Sequence, residues 1–130
     1  MGGLYSLARV LLIDDDDLVL QTMRLALAGS EHEVHTAVDG LQALDIARTL
    51  RPHLVVTDII MPRREGLETI RELRRDHPDV RIVAISGGGS SHAADYLEVA
   101  RKFGADQVLR KPFKPAELRR IIDDLLAGDS

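Results

Sequence analysis

Short apolar runs alternate along the chain with longer stretches in which apolar residues recur every three or four positions. The runs have the length of strands and the periodic stretches have the length of helices, so the pattern predicts five strand–helix pairs. The predicted strands are 9–14, 33–37, 54–58, 81–86 and 107–110, and the predicted helices are 17–28, 40–50, 65–77, 92–103 and 115–127. Strict alternation favours parallel strands joined by right-handed crossovers, with helices on both faces of one sheet.

The polarity of the strands indicates which one lies at an edge of the sheet, and the common doubly wound order with that edge strand is then expected. The first and third strands are continuously apolar, which is typical of strands buried on both faces, whereas 33–37 alternates and is expected at an edge. The expected fold is therefore a single α/β domain, a doubly wound, flavodoxin-like parallel sheet in the order 2-1-3-4-5. This domain is expected to cover 9–127, between a flexible tail at 1–8 and a short tail at 128–130. The inner face of the first helix is expected to consist of Val19, Met23, Ala26 and Leu27.

Composition narrows the range of functions. A chain of 130 residues is long enough for one domain with its own core. It contains no cysteine, which excludes disulfides and thiolate metal sites and fits a reducing cytoplasm. A formal net charge of −4 argues against a nucleic-acid-binding surface. No apolar run reaches membrane-spanning length and no secretory signal precedes the first strand, so a cytoplasmic protein without membrane contact is expected.

Chemically useful side chains stand where the predicted strands end. Asp14 ends the first strand and Asp15 follows it, Asp58 ends the third, Ser86 ends the fourth, and Lys111 follows the fifth. Because parallel strands all point the same way, these groups should converge on the rim where open α/β sheets bind ligands. Clustered carboxylates repel one another unless a cation intervenes, and an all-oxygen set without cysteine favours Mg²⁺ over Zn²⁺. Asp16 and Asp17, by contrast, are interpreted as capping residues of a solvated loop before the first helix.

Ser86 and Lys111 are ambiguous when each is taken alone. Lys111 could be a surface lysine before a helix, or a cation that pairs with a carboxylate and later with a phosphoryl oxygen. The bond to Pro112 is of the one type for which the cis form is affordable, and a cis bond would turn the lysine over the rim. The glycines that follow Ser86 could form a flexible connector or present backbone N–H groups to an anion.

Four segments together resemble the receiver domain of two-component response regulators. They are RVLLIDDD at 9–16, LVVTDIIMP at 54–62 followed by EGLE at 65–68, ISG at 85–87, and KPF at 111–113. The resemblance covers the chain from Arg9 to Ala127 and implies a stand-alone receiver. It also implies two-component phosphorelay signalling with Mg²⁺ as cofactor.

The resemblance further implies a role for each rim residue. Asp58 would accept a phosphoryl group from a histidine and form an acyl phosphate. Asp15 would bind Mg²⁺ directly, Asp14 would act largely through metal-bound water, and the backbone carbonyl of Ile60 would be the third protein ligand. In the same way, Ser86 would donate its hydroxyl to a phosphoryl oxygen, and Lys111 would pair with it.

One position departs from the family pattern. Receivers usually carry Tyr or Phe three residues before the lysine, where this chain has Val108. Valine has no polar tip and no large rotamer swing, so the usual coupled movement of hydroxyl residue and aromatic ring is not expected. The hypothesis is that switching proceeds through 87–91 and the fourth helix.

The resemblance implies a phosphoacceptor switch that catalyses only its own phosphorylation and dephosphorylation. The expected partners are a sensor histidine kinase or histidine phosphotransfer protein, and a downstream protein that binds the face of helix 4, strand 5 and helix 5. A weak homodimer is left open. The alternatives are a Mg²⁺-dependent phosphatase of the haloacid dehalogenase type and a degenerate receiver that only binds partners. Leu18 and Leu25 are either ordinary surface leucines or a docking patch, and the five histidines are interpreted as surface residues.

Overall fold

The structure is a three-layer α/β/α sandwich with one parallel sheet, and every strand is followed by a helix. The computed structural model describes residues 7–59, 65–87 and 93–128. The elements are β1 (Arg9–Ile13), α1 (Asp17–Ala26), β2 (Glu33–Ala37), α2 (Gly40–Leu50), β3 (Leu54–Asp58), α3 (Glu65–Asp76), β4 (Arg81–Ser86), α4 (Ala93–Phe103), β5 (Gln107–Arg110) and α5 (Pro115–Ala127). The strands are parallel and lie in the order β2-β1-β3-β4-β5, which confirms the predicted flavodoxin-like topology.

The sheet separates two apolar cores, because successive residues of each central strand point to opposite faces. On β1, Leu11 and Ile13 belong to one core and Val10 and Leu12 to the other. The first core is completed by residues of α2, α3 and α4, and the second by residues of α1 and α5. β2 is only partly buried along most of its length, as expected for an edge strand.

Strand register places the polar strand ends side by side. Ile13 of β1 pairs with Thr57 of β3, so Asp14 and Asp58 are the next residues of two neighbouring strands. Asp58 in turn pairs with Ile85 of β4, the residue before Ser86. The order of the strands therefore builds one rim from distant parts of the chain.

Two helix ends and one strand end differ from the predicted bounds. The extension of the first helix to residue 28 is wrong, because α1 ends at Ala26 with a tight turn at Leu27, and Gly29 has a positive φ of 86°. Its inner face contains the predicted Met23, Ala26 and Leu27, and the predicted Val19 packs partly buried against the same core. Leu20, which is 6% exposed, also belongs to this face. β1 and α3 each end one residue earlier than predicted, and the predicted start of the fourth helix at residue 92 lies outside the described residues.

In the described ranges 7–59, 65–87 and 93–128, none of the helices combines the length and apolar character that crossing a membrane requires.

Candidate functional site

Three carboxylates meet at the C-terminal rim of the sheet. Oxygen atoms of Asp14, Asp15 and Asp58 all lie within 4.8 Å of one another. Asp14 is fully buried, Asp58 is 3% exposed, and Asp15 is exposed to solvent. The two buried acids thus form the floor of the site, and Asp15 stands at its opening.

Lys111, which directly follows the edge strand β5, joins this acidic group at the same rim. Its Nζ donates to Asp58 Oδ2 at 3.1 Å and to Asp14 Oδ2 at 3.3 Å. The Lys111–Pro112 peptide bond is cis, and the backbone N–H of Lys111 donates to the carbonyl oxygen of Ser86 at 2.9 Å. Lys111 is therefore not an ordinary surface lysine, since both its backbone and its ammonium group are held at the rim.

Burial and charge determine how these groups titrate. Burial raises the pKa of Asp14 to about 6; the Asp16 N–H and Lys111 oppose the rise, and the charge of Asp58 adds to it. Burial alone would lower the pKa of Lys111, but the negative charges of Asp58 and Asp14 raise it above its usual value. The site thus holds more negative charge than one ammonium group neutralises, which favours a further cation.

The neighbouring aspartates have structural roles. The backbone N–H of Asp16 donates to Asp14 Oδ1 at 2.8 Å, which fixes the orientation of that carboxylate. The side chain of Asp16 caps α1 by accepting from the N–H of Leu18 at 2.9 Å. Asp17 lies exposed in the first helical turn and accepts a hydrogen bond from Gln21. Asp16 therefore matches the capping interpretation made from the sequence, whereas Asp17 is the first residue of α1 and matches only the expected exposure to solvent.

Ser86 is fully buried at the end of β4. Its hydroxyl donates to the carbonyl oxygen of Gly87 at 3.3 Å, and its own carbonyl accepts from Lys111. A Cβ added at Gly87 would meet no atom within 4 Å beyond its chain neighbours, so there is free space beside the Gly87 backbone. Within the part of the chain that the structure describes, the hydrogen bond of the Ser86 hydroxyl goes to this neighbouring residue.

Gly66 contributes to the site through the backbone, a role that sequence reasoning missed. A Cβ at this position would lie 2.5 Å from Ile59 Cα and 2.6 Å from the carbonyl oxygen of Asp58. Only glycine allows α3 to start so close to the segment that follows β3. The glycine in the EGLE segment could have been singled out for this reason, but its neighbour in space was not apparent from the sequence.

Other predicted features lie beside or beyond the described site. Val108 pairs with Ala84 in the sheet and packs, partly buried, against the core that α3 and α4 cover. The backbone carbonyl assigned to Ile60 and most of the loop 87–91 lie outside the described residues. Leu18 and Leu25 are 71% and 62% exposed, which leaves both interpretations of these leucines open.

The donor set fits a hard divalent cation. Three carboxylate residues supply only oxygen ligands, and Asp15 gives the group an open side from which water can complete an octahedral shell. The raised pKa of Asp14 supports the same conclusion. Burial disfavours its ionised carboxylate, and a nearby cation would stabilise that charge. The acidic cluster could therefore hold a metal ion.

Comparison with known proteins identifies the family. Residues 10–123 match the response regulator receiver domain, and the chain belongs to that family. It is 39% identical over 111 residues to response regulator MprA of Mycobacterium sp. (strain KMS), a match that covers 85% of this chain and 46% of that protein. It is 36% identical over 121 residues to sensor kinase CckA of Brucella abortus (strain 2308), covering 92% of this chain and 12% of that protein.

Solved structures agree with this assignment. The receiver domain of NtrX from Brucella abortus has a TM-score of 0.84 at 30% identity, and the match covers 93% of this chain and 99% of that one. A response regulator from Chloroflexus aurantiacus J-10-fl described as putative has a TM-score of 0.84 at 27% identity, with 94% and 99% covered. The chain thus spans whole receiver domains but less than half of MprA and about an eighth of CckA. As a receiver, it belongs to two-component phosphorelay signalling.

Proposed function

We propose that this chain is a phosphorylation-dependent switch that accepts one phosphoryl group on Asp58. The observation that carries the proposal is the arrangement at the rim: Asp14 and Asp15 oxygens lie within 4.8 Å of an Asp58 oxygen, and Lys111 Nζ lies 3.1 Å from Asp58 Oδ2. Lys111 is suited to pairing with negative charge that develops at Asp58, and the two neighbouring acids are suited to holding a cation beside it. Membership of the receiver family supports the same assignment.

The chemistry assigned to Asp58 is nucleophilic attack. One of its carboxylate oxygens attacks the phosphorus of a phosphohistidine on the donor protein. A P–O bond forms while the P–N bond breaks, and the electron pair of the broken bond returns to the donor imidazole. The product is an acyl phosphate with a charge near −2 in place of one carboxylate charge. Lys111, which now bridges Asp58 and Asp14, is placed to pair with a phosphoryl oxygen after transfer.

The proposed metal ligands are Asp14, Asp15 and Asp58, together with the carbonyl of Ile60. The first three are the acids that meet at the rim, and the fourth rests on the family resemblance. A bound Mg²⁺ would neutralise charge between these carboxylates and the incoming phosphoryl oxygens. The N–H of Asp16 keeps the Asp14 carboxylate oriented toward the site.

The proposed switch begins at Ser86. Its hydroxyl gives up the carbonyl of Gly87 and donates to a phosphoryl oxygen, which changes the conformation of the segment that leads into α4. Val108 packs against the core shared with α4 and has no rotamer that could follow this movement far. We therefore assign the output to residues 87–91 and α4, within a face completed by β5 and α5.

The proposed partners are proteins. A sensor histidine kinase or histidine phosphotransfer protein supplies the phosphoryl group, and a downstream protein binds the face of α4, β5 and α5. The switch acts in the cytoplasm, as the family and the cysteine-free composition suggest. Residues 9–127 form the receiver unit, which acts as a phosphoacceptor and not as an enzyme with turnover.

Labelling with acetyl phosphate tests this proposal. Incubation with acetyl phosphate and Mg²⁺ should add the mass of one phosphoryl group, located at Asp58 by peptide mapping. The variant Asp58→Ala should remove the label, and Asp15→Ala should abolish both metal dependence and most labelling. Asp17→Ala is a matched control, because Asp17 is an exposed acid of the same loop and helix start that does not belong to the acidic cluster.

Two results would contradict the proposal. A label that persists in Asp58→Ala, or that forms equally well in excess EDTA, is incompatible with these roles. Repeated turnover of a phosphate ester without stoichiometric labelling would instead favour the phosphatase alternative.

A further inference from the structure

The opposite end of the sheet, where the strands begin, contains two histidines that the proposed function does not use. The backbone N–H of Ala8 donates to His32 Nδ1 at 3.0 Å. The backbone N–H of Arg9 donates to His53 Nδ1 at 2.9 Å. Two successive backbone N–H groups at the start of β1 are thus each bound by an imidazole from a different neighbouring segment.

These imidazoles complete the sheet where its backbone ladder stops. β1 pairs with β2 only from Arg9 and Glu33 onward, and with β3 only from Val10 and Leu54 onward. Ala8 is 6% exposed, so its N–H requires a partner within the protein. The two rings take the place of the backbone carbonyls that longer neighbouring strands would have supplied.

This arrangement requires both rings to be neutral. A ring nitrogen that accepts a hydrogen bond has no proton, so in each ring the proton is on Nε2. An imidazolium ion is a donor at both nitrogens and cannot accept from a backbone N–H. Protonation of either ring therefore breaks its bond to β1 and turns a donor toward a donor.

The same strand end is linked to helix α2. The guanidinium of Arg9 donates through Nε to the carbonyl of Leu50 at 2.8 Å and through Nη2 to that of Arg51 at 2.9 Å. The backbone N–H of His53 donates to the Arg9 carbonyl at 2.8 Å. Loosening of Arg9 therefore also loosens the end of α2 and the turn that carries His53.

The surroundings of His53 disfavour its protonation. Partial desolvation lowers the pKa of His53, and the positive charge of Arg9, joined by that of His32 when His32 is protonated, lowers it further. Ala8, His32 and His53 line a groove at this end of the sheet. The acids that also line it are Glu31, Asp76, Asp79 and Asp123, and its other bases are His77, Arg51, Arg81 and Arg119. Asp76 and Asp123 are already in ion pairs, with Arg75 and Arg119.

We propose that His32 and His53 form a pH-sensitive clamp that holds the start of β1 when both rings are neutral and releases Ala8 and Arg9 when they are protonated. The clamp lies at the end of the sheet opposite Asp58, and it does not depend on phosphorylation. Its effect is that the backbone at the start of β1 is well ordered at neutral pH and less ordered in acid.

The sign of the pH dependence follows from His53. Its pKa is lower in the folded protein than its ordinary value of 6.5, so the native state favours the neutral ring. The contribution of the clamp to stability is therefore complete above that ordinary value and is lost as the pH falls toward the folded-state pKa.

Amide exchange measured by NMR tests the clamp. After correction for intrinsic exchange, protection of the Ala8 and Arg9 amides should fall about fivefold between about pH 7.5 and pH 5, as expected for the loss of one hydrogen bond. In His32→Asn/His53→Asn, protection should persist at both pH values, because the Asn Oδ1 sits the same number of bonds from Cβ as Nδ1 and does not titrate. In His32→Phe/His53→Phe, protection should be low at both pH values.

Two further measurements separate the clamp from general effects of acid. Imidazole ¹⁵N shifts should show the Nε2–H tautomer for both rings near neutral pH. His35→Asn is the matched control, since the His35 imidazole pairs with the Glu33 carboxylate and does not accept from the Ala8 or Arg9 N–H, and it should behave as the parent protein. An Nδ1–H tautomer, or a pH-dependent loss of protection that persists unchanged in the Asn variant, would overturn the proposal.

Discussion

Replacement of Asp14 by asparagine should stabilise the metal-free protein while impairing the site. Asp14 is fully buried, and its pKa rises from an ordinary value of 3.8 to about 6. A difference of about 2 pKa units corresponds to at most about 3 kcal/mol that the ionised carboxylate costs the fold at neutral pH. Asparagine avoids this cost, and its Oδ1 can still accept from the N–H of Asp16.

The pH dependence carries the reasoning. Between the unfolded-state pKa near 3.8 and the folded-state pKa near 6, the native protein binds a proton at Asp14 that the unfolded chain has lost. The penalty is therefore complete above about pH 6 and disappears as the pH falls toward the unfolded-state value. The stability difference between Asp14→Asn and the parent protein should be largest at neutral pH and should vanish in acid.

Thermal unfolding followed by circular dichroism can measure this difference. In EDTA at neutral pH, the variant should melt roughly 5–10 °C above the parent protein. Mg²⁺ should stabilise the parent protein by binding its folded form and should stabilise the variant much less. A variant no more stable than its parent in EDTA, or a stability difference that does not change with pH, would refute this account of the buried charge. Asp17→Asn provides the control, because Asp17 is exposed.

Two further changes test the structural elements that surround the site. Gly66→Ala should destabilise the fold by about 2–4 kcal/mol in urea titration, because its Cβ would overlap the backbone of Ile59 at 2.5 Å, whereas Gly87→Ala, whose Cβ meets nothing within 4 Å, should be nearly neutral. Equal effects of the two alanines would contradict this reasoning. Arg74→Ala should cost about 2–4 kcal/mol, because the guanidinium donates to three backbone carbonyls and to a carboxylate. The adjacent Arg75→Ala removes only exposed ion pairs, so it should leave the unfolding midpoint unchanged. A loss comparable to that of Arg74→Ala would show that the hydrogen-bond network of Arg74 is not the cause.

The sequence was most informative where one physical pattern dominated. Continuous apolar runs in β1 and β3 and an alternating β2 indicated that β2 lies at an edge, because burial on two faces and on one face leave different patterns. The full order was then taken from the common doubly wound arrangement with that edge strand. Helix α2 and strands β2 to β5 were predicted with their observed bounds. The end of α1 was less well predicted, since Ala28 suits a helix and only the turn at Leu27 shows where the hydrogen bonding changes.

Histidines show where sequence reasoning could not succeed. His32 and His53 carry no local signal, and they were interpreted as surface residues. Their significance lies in hydrogen bonds to Ala8 and Arg9, which are 24 and 44 positions away along the chain. The same is true of Gly66, whose need to be glycine comes from the backbone of Ile59.

The order of apolar and polar residues by itself determined the class of fold, the edge position of β2 and the end of the sheet at which the acids would gather. These properties depend on local periodicity and on the shared direction of parallel strands, both of which are written along the chain. The tertiary structure alone decided which groups touch: that Lys111 contacts both Asp14 and Asp58, that Asp14 is buried, and that two imidazoles complete β1. Distances, burial and the resulting pKa values depend on side chains from distant segments, and these come together only when the sheet forms.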